Sequence, residues 1–397
     1  MISLPSISFA EQPASLPSYT LWQMVRYMLR LGTFGFGGPV ALVGYMYRDL
    51  VEQRHWISDA DYKEGMTLAQ LMPGPLAAQL AIYLGYVHFR LWGATLVGLA
   101  FVLPSFVMVV VLGVVYKAYG GISWMQAVFY GVGASVIGII ALSAYKLTTK
   151  SVGKDRLLGV IYLISAAVTI ATQSEVIWVF LGAGMLVWAV RGPLKRNGGQ
   201  LHSMAWAAPL ALGLENIDWQ KLGQIAAYFT YAGAFVFGSG LAIVPFLYGG
   251  VVKEYAWLTD RQFVDAVAVA MITPGPVVIT TGFIGFLTSG FWGAVVASAA
   301  TFLPCYLLTV IPAPYFKKHG KHPGVVAFVD GVTAAAVGAI AGAVVVLGQR
   351  SIIDLPTAAL ALATTAVLWR FKKLPEPVVV LAAALIGFAV FPLVANV

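Results

Sequence analysis

Two carboxylates, Glu64 and Asp265, lie inside apolar stretches of this 397-residue chain, and they become equivalent when the sequence is shifted by 201 residues. Each precedes a Pro-Gly-Pro tripeptide by about two and a half helical turns, at Pro73-Gly74-Pro75 and Pro274-Gly275-Pro276. An ionisable group within a membrane segment is costly and reads first as functional. A symmetric pair of carboxylates entering broken helices would relay protons. The plainer reading, an acid favoured by the dipole near a helix N-terminus, stands beside it.

The tripeptides themselves point to anions. Pro73 ends one half-helix and Pro75 begins the next, as Pro274 and Pro276 do in the second copy. A second kind of break, Thr33-Phe34-Gly35-Phe36-Gly37-Gly38-Pro39, interrupts the first apolar segment and is matched by Ala234-Phe235-Val236-Phe237-Gly238-Ser239-Gly240. Breaks of this kind leave helix N-termini and unpaired N–H groups at membrane depth, tolerated only when buried in protein or lining a wet cavity. Such ends attract anions; the alternative is a set of kinks that help helices pack. Arg30, about one turn before the first break, would add fixed positive charge or else reach to the headgroups. Uncharged donors and acceptors stand near the breaks at Gln70, Gln79, Ser239, Thr273, Thr280 and Thr281. The candidate substrate-binding set is therefore Arg30, Phe36, Gly37, Gly38, Pro39, Gln70, Pro73, Gly74, Pro75 and Gln79 in the first half. In the second it is Gly238, Ser239, Gly240, Thr273, Pro274, Gly275 and Pro276.

The elements that must position these residues are membrane helices. With 60% hydrophobic and 10% charged residues and a mean hydropathy of +0.85, the chain cannot cover a water-facing globule. Apolar segments fall at about 19–45, 64–87, 91–116, 123–146, 156–173 and 176–190, and again at about 221–250, 264–288, 291–313, 325–348, 352–369 and 376–394. Thirteen of the 42 positions from Phe34 to Pro75 recur at the 201 offset, where chance gives about three. Beyond Pro75 the offset becomes 200, pairing Trp92-Gly93-Ala94 with Trp292-Gly293-Ala294 and Leu103-Pro104 with Leu303-Pro304. The division is a tail at 1–18, a first repeat at 19–196, a linker at 197–220 and a second repeat at 221–397. The tail has no basic residue and no cleavage signal, so it does not read as a signal peptide.

Charge then sets orientation. Basic residues cluster at Lys146, Lys150, Lys154 and Arg156, at Arg191, Lys195 and Arg196, at Lys317, Lys318 and Lys321, and at Arg370, Lys372 and Lys373. The positive-inside rule places all four loops in the cytoplasm. Corresponding loops of the two halves differ in charge, so the expected fold is an all-α polytopic membrane protein of about 12–13 segments, in two inverted repeats with discontinuous helices. Inversion needs an odd number of crossings per repeat, and the short stretch Leu201–Leu214 is the candidate for the odd one. Tryptophans near the segment ends, Trp56, Trp92, Trp257 and Trp292, read as interface anchors.

Several classes are disfavoured. The net charge of +8 has a topological explanation and does not call for nucleic acid. The single Cys305 excludes an intrachain disulfide, and the five histidines lack metal-ligand spacing. No catalytic, nucleotide or cofactor motif is present. An enzyme on lipid-linked substrate would need an acidic or metal-binding cluster in the loops, and a scaffold would not need breaks in both halves.

The motifs resemble those of the chromate ion transporter family, two-domain type. They are Leu31-Gly32-Thr33-Phe34 leading to Phe36-Gly37-Gly38-Pro39, then Arg54-His55-Trp56-Ile57-Ser58, Ala69 to Pro75, Gln79 to Tyr86, and Phe101 to Phe106. Phe237-Gly238-Ser239-Gly240, Trp257-Leu258-Thr259, Asp265-Ala266, Thr273 to Pro276 and Phe302-Leu303-Pro304 follow in the second half. The resemblance implies export of chromate across the cytoplasmic membrane by the proton-motive force, conferring resistance, with sulfate as competitor or counter-substrate. A sulfate or other oxyanion transporter of the same architecture is the alternative. Ala270-Met271 departs from the family's more usual Gly-Gln, and Cys305-Tyr306 from Ser-Phe. A homodimer is common among such transporters.

Overall fold

The computed structural model describes residues 19–36, 38–119, 123–173, 176–191, 218–234, 243–319, 323–371, 374 and 376–394. These residues form helices and turns, with no strand among them. Helix α1 (Leu21–Phe34) starts at Thr20, whose hydroxyl accepts from the Gln23 N–H while the Gln23 side chain accepts from the Thr20 N–H. The chain resumes after the glycine break as α2 (Gly38–Met46), with a π-helical continuation over Tyr47–Gln53. This second arm runs back along the first. The Tyr27 hydroxyl donates to Asp49 Oδ2 at 3.2 Å, and Tyr19 stacks on Trp56 with ring centroids 4.8 Å apart.

A second hairpin follows. Helix α3 (Asp59–Leu71) leads to the Pro-Gly-Pro tip, and the start of α4 (Leu76–Tyr119) returns, so that the Tyr83 hydroxyl donates to Glu64 Oε1 at 2.7 Å. Helix α4 then reverses once more at Arg90, where φ is 53° and ψ −140°. Gly85 and Gly93 face each other across that turn, backbone to backbone. Only the arm after Arg90 crosses. The Tyr19 hydroxyl meets His88 Nδ1 at 2.9 Å, which places the open ends of both hairpins on one face. Arms of 13 or 14 residues are roughly 20 Å long, short of a hydrocarbon core of about 30 Å. They therefore enter and return.

The first repeat continues with α5 (Ser123–Ser151), α6 (Arg156–Thr172) and α7 (Ile177–Arg191). The second repeats the order as α8 (Trp219–Ala234), α9 (Ile243–Tyr248, extended as π helix over Gly249–Glu254), α10 (Asp260–Ile272) and α11 (Thr280–Val310). Its α11 reverses at Ser289-Gly290, the counterpart of the Arg90 turn. A short α12 (Ala313–His319) precedes α13 (Pro323–Ser351), α14 (Leu355–Arg370) and α15 (Glu376–Val394).

The repeats are inverted. Thr95, early in the long arm of α4, meets the hydroxyl of Tyr306, late in α11, at 2.8 Å, whereas Phe106 meets Phe291 at 6.4 Å between centroids. The two crossing arms are thus antiparallel. The repeats also interlock: α5 packs on α14 and α15, and α13 on α6 and α7. Tyr130 donates to Asp354 at 2.6 Å in the first contact, and Ser165 donates to the Ala335 carbonyl at 2.6 Å in the second.

One face gathers the basic ends. Arg191 pairs there with Asp155, and Tyr145 lies against Trp369. All twelve apolar segments exist as helices among the described residues, but the first two of each six are hairpins that return to their own face. Each repeat is left with four helical arms running between the faces, and α4, α5, α11 and α13 are long and apolar enough to cross a membrane. Arg191 and Trp219 consequently lie on opposite faces, and the segment joining them, Leu201–Leu214 included, is outside the described residues. Among the tryptophans, Trp92 and Trp292 are exposed as anchors, while Trp56 and Trp257 are partly covered in stacks with Tyr19 and Tyr255.

Candidate functional site

Hairpins entering from opposite faces meet at their tips. The Gly275 N–H donates to the Gly35 carbonyl at 3.1 Å, joining the second Pro-Gly-Pro to the glycine break of the first repeat. Ser105, on the crossing arm of α4, donates to the Pro274 carbonyl at 2.7 Å. Gly275 has φ +97°, and a Cβ there would collide with Ser105 Oγ. The close approach needs glycine.

The first Pro-Gly-Pro is built differently. Gly74 has φ +144°, and a Cβ would lie 2.6 Å from Gln79 Cδ, because the Gln79 side chain folds over the tip. Gln79 Nε2 donates to the Pro73 carbonyl at 2.8 Å, and its Oε1 is buried without a donor. Helices α2 and α4 both begin at tips, at Gly38 and Leu76, so their positive dipole ends face the middle of the protein.

The remaining expected residues divide into three groups. Thr273, Pro274, Gly275 and Pro276 are buried, as are Gly74, Pro75 and Gln79, while Pro39 and Pro73 are half-buried. Thr273 and Thr280 donate to carbonyls of their own helical turns, at Val269 and Val277, and Thr281 to Val278. Phe36, Gln70 and Arg30 are exposed, Arg30 without a carboxylate within 4.0 Å among the described residues. The hydrogen bonds that join the tips are made by Gly275, Gly35, Ser105 and Pro274, without Arg30. Gly37, Gly238, Ser239 and Gly240 lie outside the described residues.

The two carboxylates differ in setting. Glu64 is half-buried and takes its hydroxyl from Tyr83 in its own hairpin. Asp265 is buried, and its donor is Tyr116 at 2.7 Å, from the crossing arm of the other repeat. Phe283 occupies the position equivalent to Tyr83 and stands edge-on to Tyr116 at 5.6 Å. Tyr116 also lines a cavity of about 450 Å³ that opens on the face opposite the basic loops, with Lys117, Arg261 and Gln262 around it. Asp265 is one hydroxyl away from that cavity.

Ser105, Tyr83 and Tyr116 were not among the residues singled out from the sequence. Their signal was present in the repeat register: Ser105 aligns with Cys305, Tyr83 with Phe283 and Tyr116 with Phe316, three polar groups each lost in the other half.

Comparison with known proteins agrees with the two-repeat architecture. The family described as Chromate transporter matches residues 22–188 and 223–388, one match per repeat. A chromate transport protein from Cupriavidus metallidurans is 67% identical over 98% of both chains. A probable chromate transport protein from Synechococcus elongatus is 63% identical, covering 94% of this chain and 96% of its own. A chromate transport protein from Pseudomonas aeruginosa is 30% identical over 96% of this chain and 95% of its own. No solved structure matches the chain. Two inverted repeats, each with broken hairpins and each matched along nearly its full length, make this multi-pass membrane protein a member of the chromate transporter family.

Proposed function

We propose that this chain exports chromate from the cytoplasm, energised by the proton-motive force, and so confers chromate resistance, with sulfate competing for the same site. The observation that carries the reading is the meeting of tips from opposite faces at Gly275 and Gly35, in a chain whose relatives bear the name of chromate transport. A tetrahedral dianion entering there loses water, and the helix ends at Gly38 and Leu76 replace part of it. The substrate-binding set is Phe36, Gly37, Gly38, Pro39, Gln70, Pro73, Gly74, Pro75 and Gln79 with Gly238, Ser239, Gly240, Thr273, Pro274, Gly275 and Pro276. Arg30, exposed one turn away, adds long-range positive charge.

Outward movement of a dianion is favoured by a potential negative inside, at about 2.3 kcal/mol per charge per 100 mV. Proton coupling would use Asp265 and Glu64. Gln70 and Met271, equivalent in the repeat, stand exposed and buried respectively, so the second repeat offers the substrate no counterpart of the Gln70 side chain.

The test is chromate uptake into everted vesicles from cells with and without the protein, under a proton gradient and excess sulfate. Protein-dependent uptake that both sulfate and an uncoupler abolish is the expected result. Sulfate uptake with no chromate uptake would make sulfate the solute, and no uptake of either would reject the reading. An unchanged pH dependence in the Glu64→Gln, Asp265→Asn double variant would remove proton coupling.

A further inference from the structure

One set of equivalent contacts is made on one face of the protein and unmade on the other. Opposite the basic loops, Asp260 at the start of α10 accepts from the Tyr248 hydroxyl at 2.5 Å and forms an ion pair with Arg350 at the end of α13. Arg350 also donates to Gln173 Oε1 at 3.0 Å, and its guanidinium lies over the Tyr248 ring, 5.2 Å from the centroid. Helix α10 is clasped by α5, α13 and α15.

The repeat places Tyr47, Asp59 and Lys150 at the matching positions of the basic face. Tyr47 still donates to Asp59, at 3.0 Å. Asp59, however, pairs with Lys63 on its own helix at 2.6 Å, and Lys150 is exposed with no carboxylate partner among the described residues. Helix α3 makes no comparable packing against the bundle.

Exposure follows the same division. Lys63, Thr67 and Gln70 form one stripe on α3, leading from the basic face to the Pro-Gly-Pro tip, and Gln70 is exposed. The matching stripe on α10 is Val264, Ala268 and Met271, with Ala268 at 0% and Met271 at 5% exposure. The buried cores agree: the first repeat's hairpins cluster with the crossing arm of α4 and with Cys305, Val310, Ala313 and Phe316 of the second repeat but with neither α5 nor α13, whereas the second repeat's hairpins share a cluster with both.

We infer that Asp260 with Arg350 and Asp59 with Lys150 are reciprocal gate latches, one closed at a time, and that this structure is the state open to the basic face. Inverted repeats give two states of like architecture when they exchange conformations. In the other state Asp59 pairs with Lys150 and Asp260 releases Arg350. Lys63 competes for Asp59 locally, and Val264 at the equivalent place offers no such competitor to Arg350. The sequence is thereby biased toward the state observed.

This proposal rests on the transport reading, but its readout is exposure and needs no solute. In a Cys305→Ser background, Gln70→Cys and Met271→Cys are each treated with a membrane-impermeant maleimide from either face of oriented vesicles. Gln70→Cys reacts from the basic face, and Met271→Cys is slow from both. Adding Asp260→Asn speeds the second from the opposite face by about tenfold, the effect of roughly 1.4 kcal/mol on the minor population of a two-state balance, and slows the first. Adding Lys63→Ala acts in the same direction. Exchanging the charges, as Asp260→Arg with Arg350→Asp, restores the original pattern and establishes that the variants fold. Unchanged rates in Asp260→Asn, or Met271→Cys reacting as fast as Gln70→Cys without further substitution, would overturn the latches. Rates that shift as expected, when the unsubstituted chain moves neither chromate nor sulfate, would keep the latches and discard the proposed solute.

Discussion

Replacing Gly275 by alanine tests whether the meeting of the tips holds the two repeats together. The backbone there has φ +97°, a conformation that costs a residue with a Cβ about 1–3 kcal/mol. The new Cβ also falls well inside 3.0 Å of Ser105 Oγ and must push it aside. Ser105 then loses its bond to the buried Pro274 carbonyl, a further ~1–3 kcal/mol. Together these give about 4 kcal/mol for Gly275→Ala and about 2 for Ser105→Ala. The double variant should cost little more than Gly275→Ala alone, because the Ser105 bond is already broken in it. The coupling is then about 2 kcal/mol. Gly44→Ala serves as the contrast: nothing lies within 4 Å of a Cβ there, and alanine suits a helix better than glycine. Melting followed by tryptophan fluorescence in detergent reads all four. Additive losses from Gly275 and Ser105, or a Gly275→Ala protein as stable as Gly44→Ala, would refute the tip contact.

Gly93→Ala should abolish accumulation of folded protein in membranes, since its Cβ would strike the Gly85 backbone, which cannot yield; a normal yield would argue against the reversal of α4 at Arg90. Tyr116→Phe should destabilise the protein by about 1.5–3 kcal/mol by stripping a hydroxyl from the Asp265 carboxylate, and adding Phe283→Tyr should recover most of the loss in the same melting assay. On the basic face, a hydrogen bond from Arg191 holds the Asp155 carboxyl below the usual carboxylate range, with help from the Leu158 and Leu157 N–H groups. A depressed pKa adds stability that is present above the unfolded value and lost as pH falls through the folded one, so Asp155→Asn should flatten the acid limb of the melting-pH curve and leave the neutral limb parallel to the original.

The repeats and breaks could be read because glycine and proline are the residues whose backbone constraints are visible in one dimension. Pro-Gly-Pro can neither continue a helix nor hide its φ requirements, and both copies proved to be hairpin tips. The number of crossings could not be read in the same way. An arm such as Asp59–Leu71 joined to Leu76–Phe89 has the length and apolar content of one tilted span, and only contacts such as Tyr83 with Glu64 show that it folds back. The turn at Arg90 was hidden by an arginine in positive φ, although its counterpart Gly290 marks the same turn in the second repeat. For Arg30 the sequence gives a distance of one turn to the break, and the exposure of its side chain is visible only in the structure.

Where the repeats differ, the differences are paired. Each carboxylate keeps one tyrosine hydroxyl, but Glu64 receives it from Tyr83 in the same hairpin, and Asp265 receives it from Tyr116 across the repeat boundary. The mechanical consequences are unlike. If the hairpins of one repeat move against the rest, the bond between Glu64 and Tyr83 travels with them unchanged. Asp265 cannot leave the crossing arm of α4 without losing Tyr116, and with it the link to the cavity beside Lys117 and Arg261. A group that exchanges protons in step with movement needs a different partner at each end of the movement. On the proposed coupling, Asp265 meets that condition through Tyr116. Asp265→Asn should therefore remove the pH dependence of transport, and an unchanged pH dependence would show that the coupling proton does not follow this inter-repeat contact.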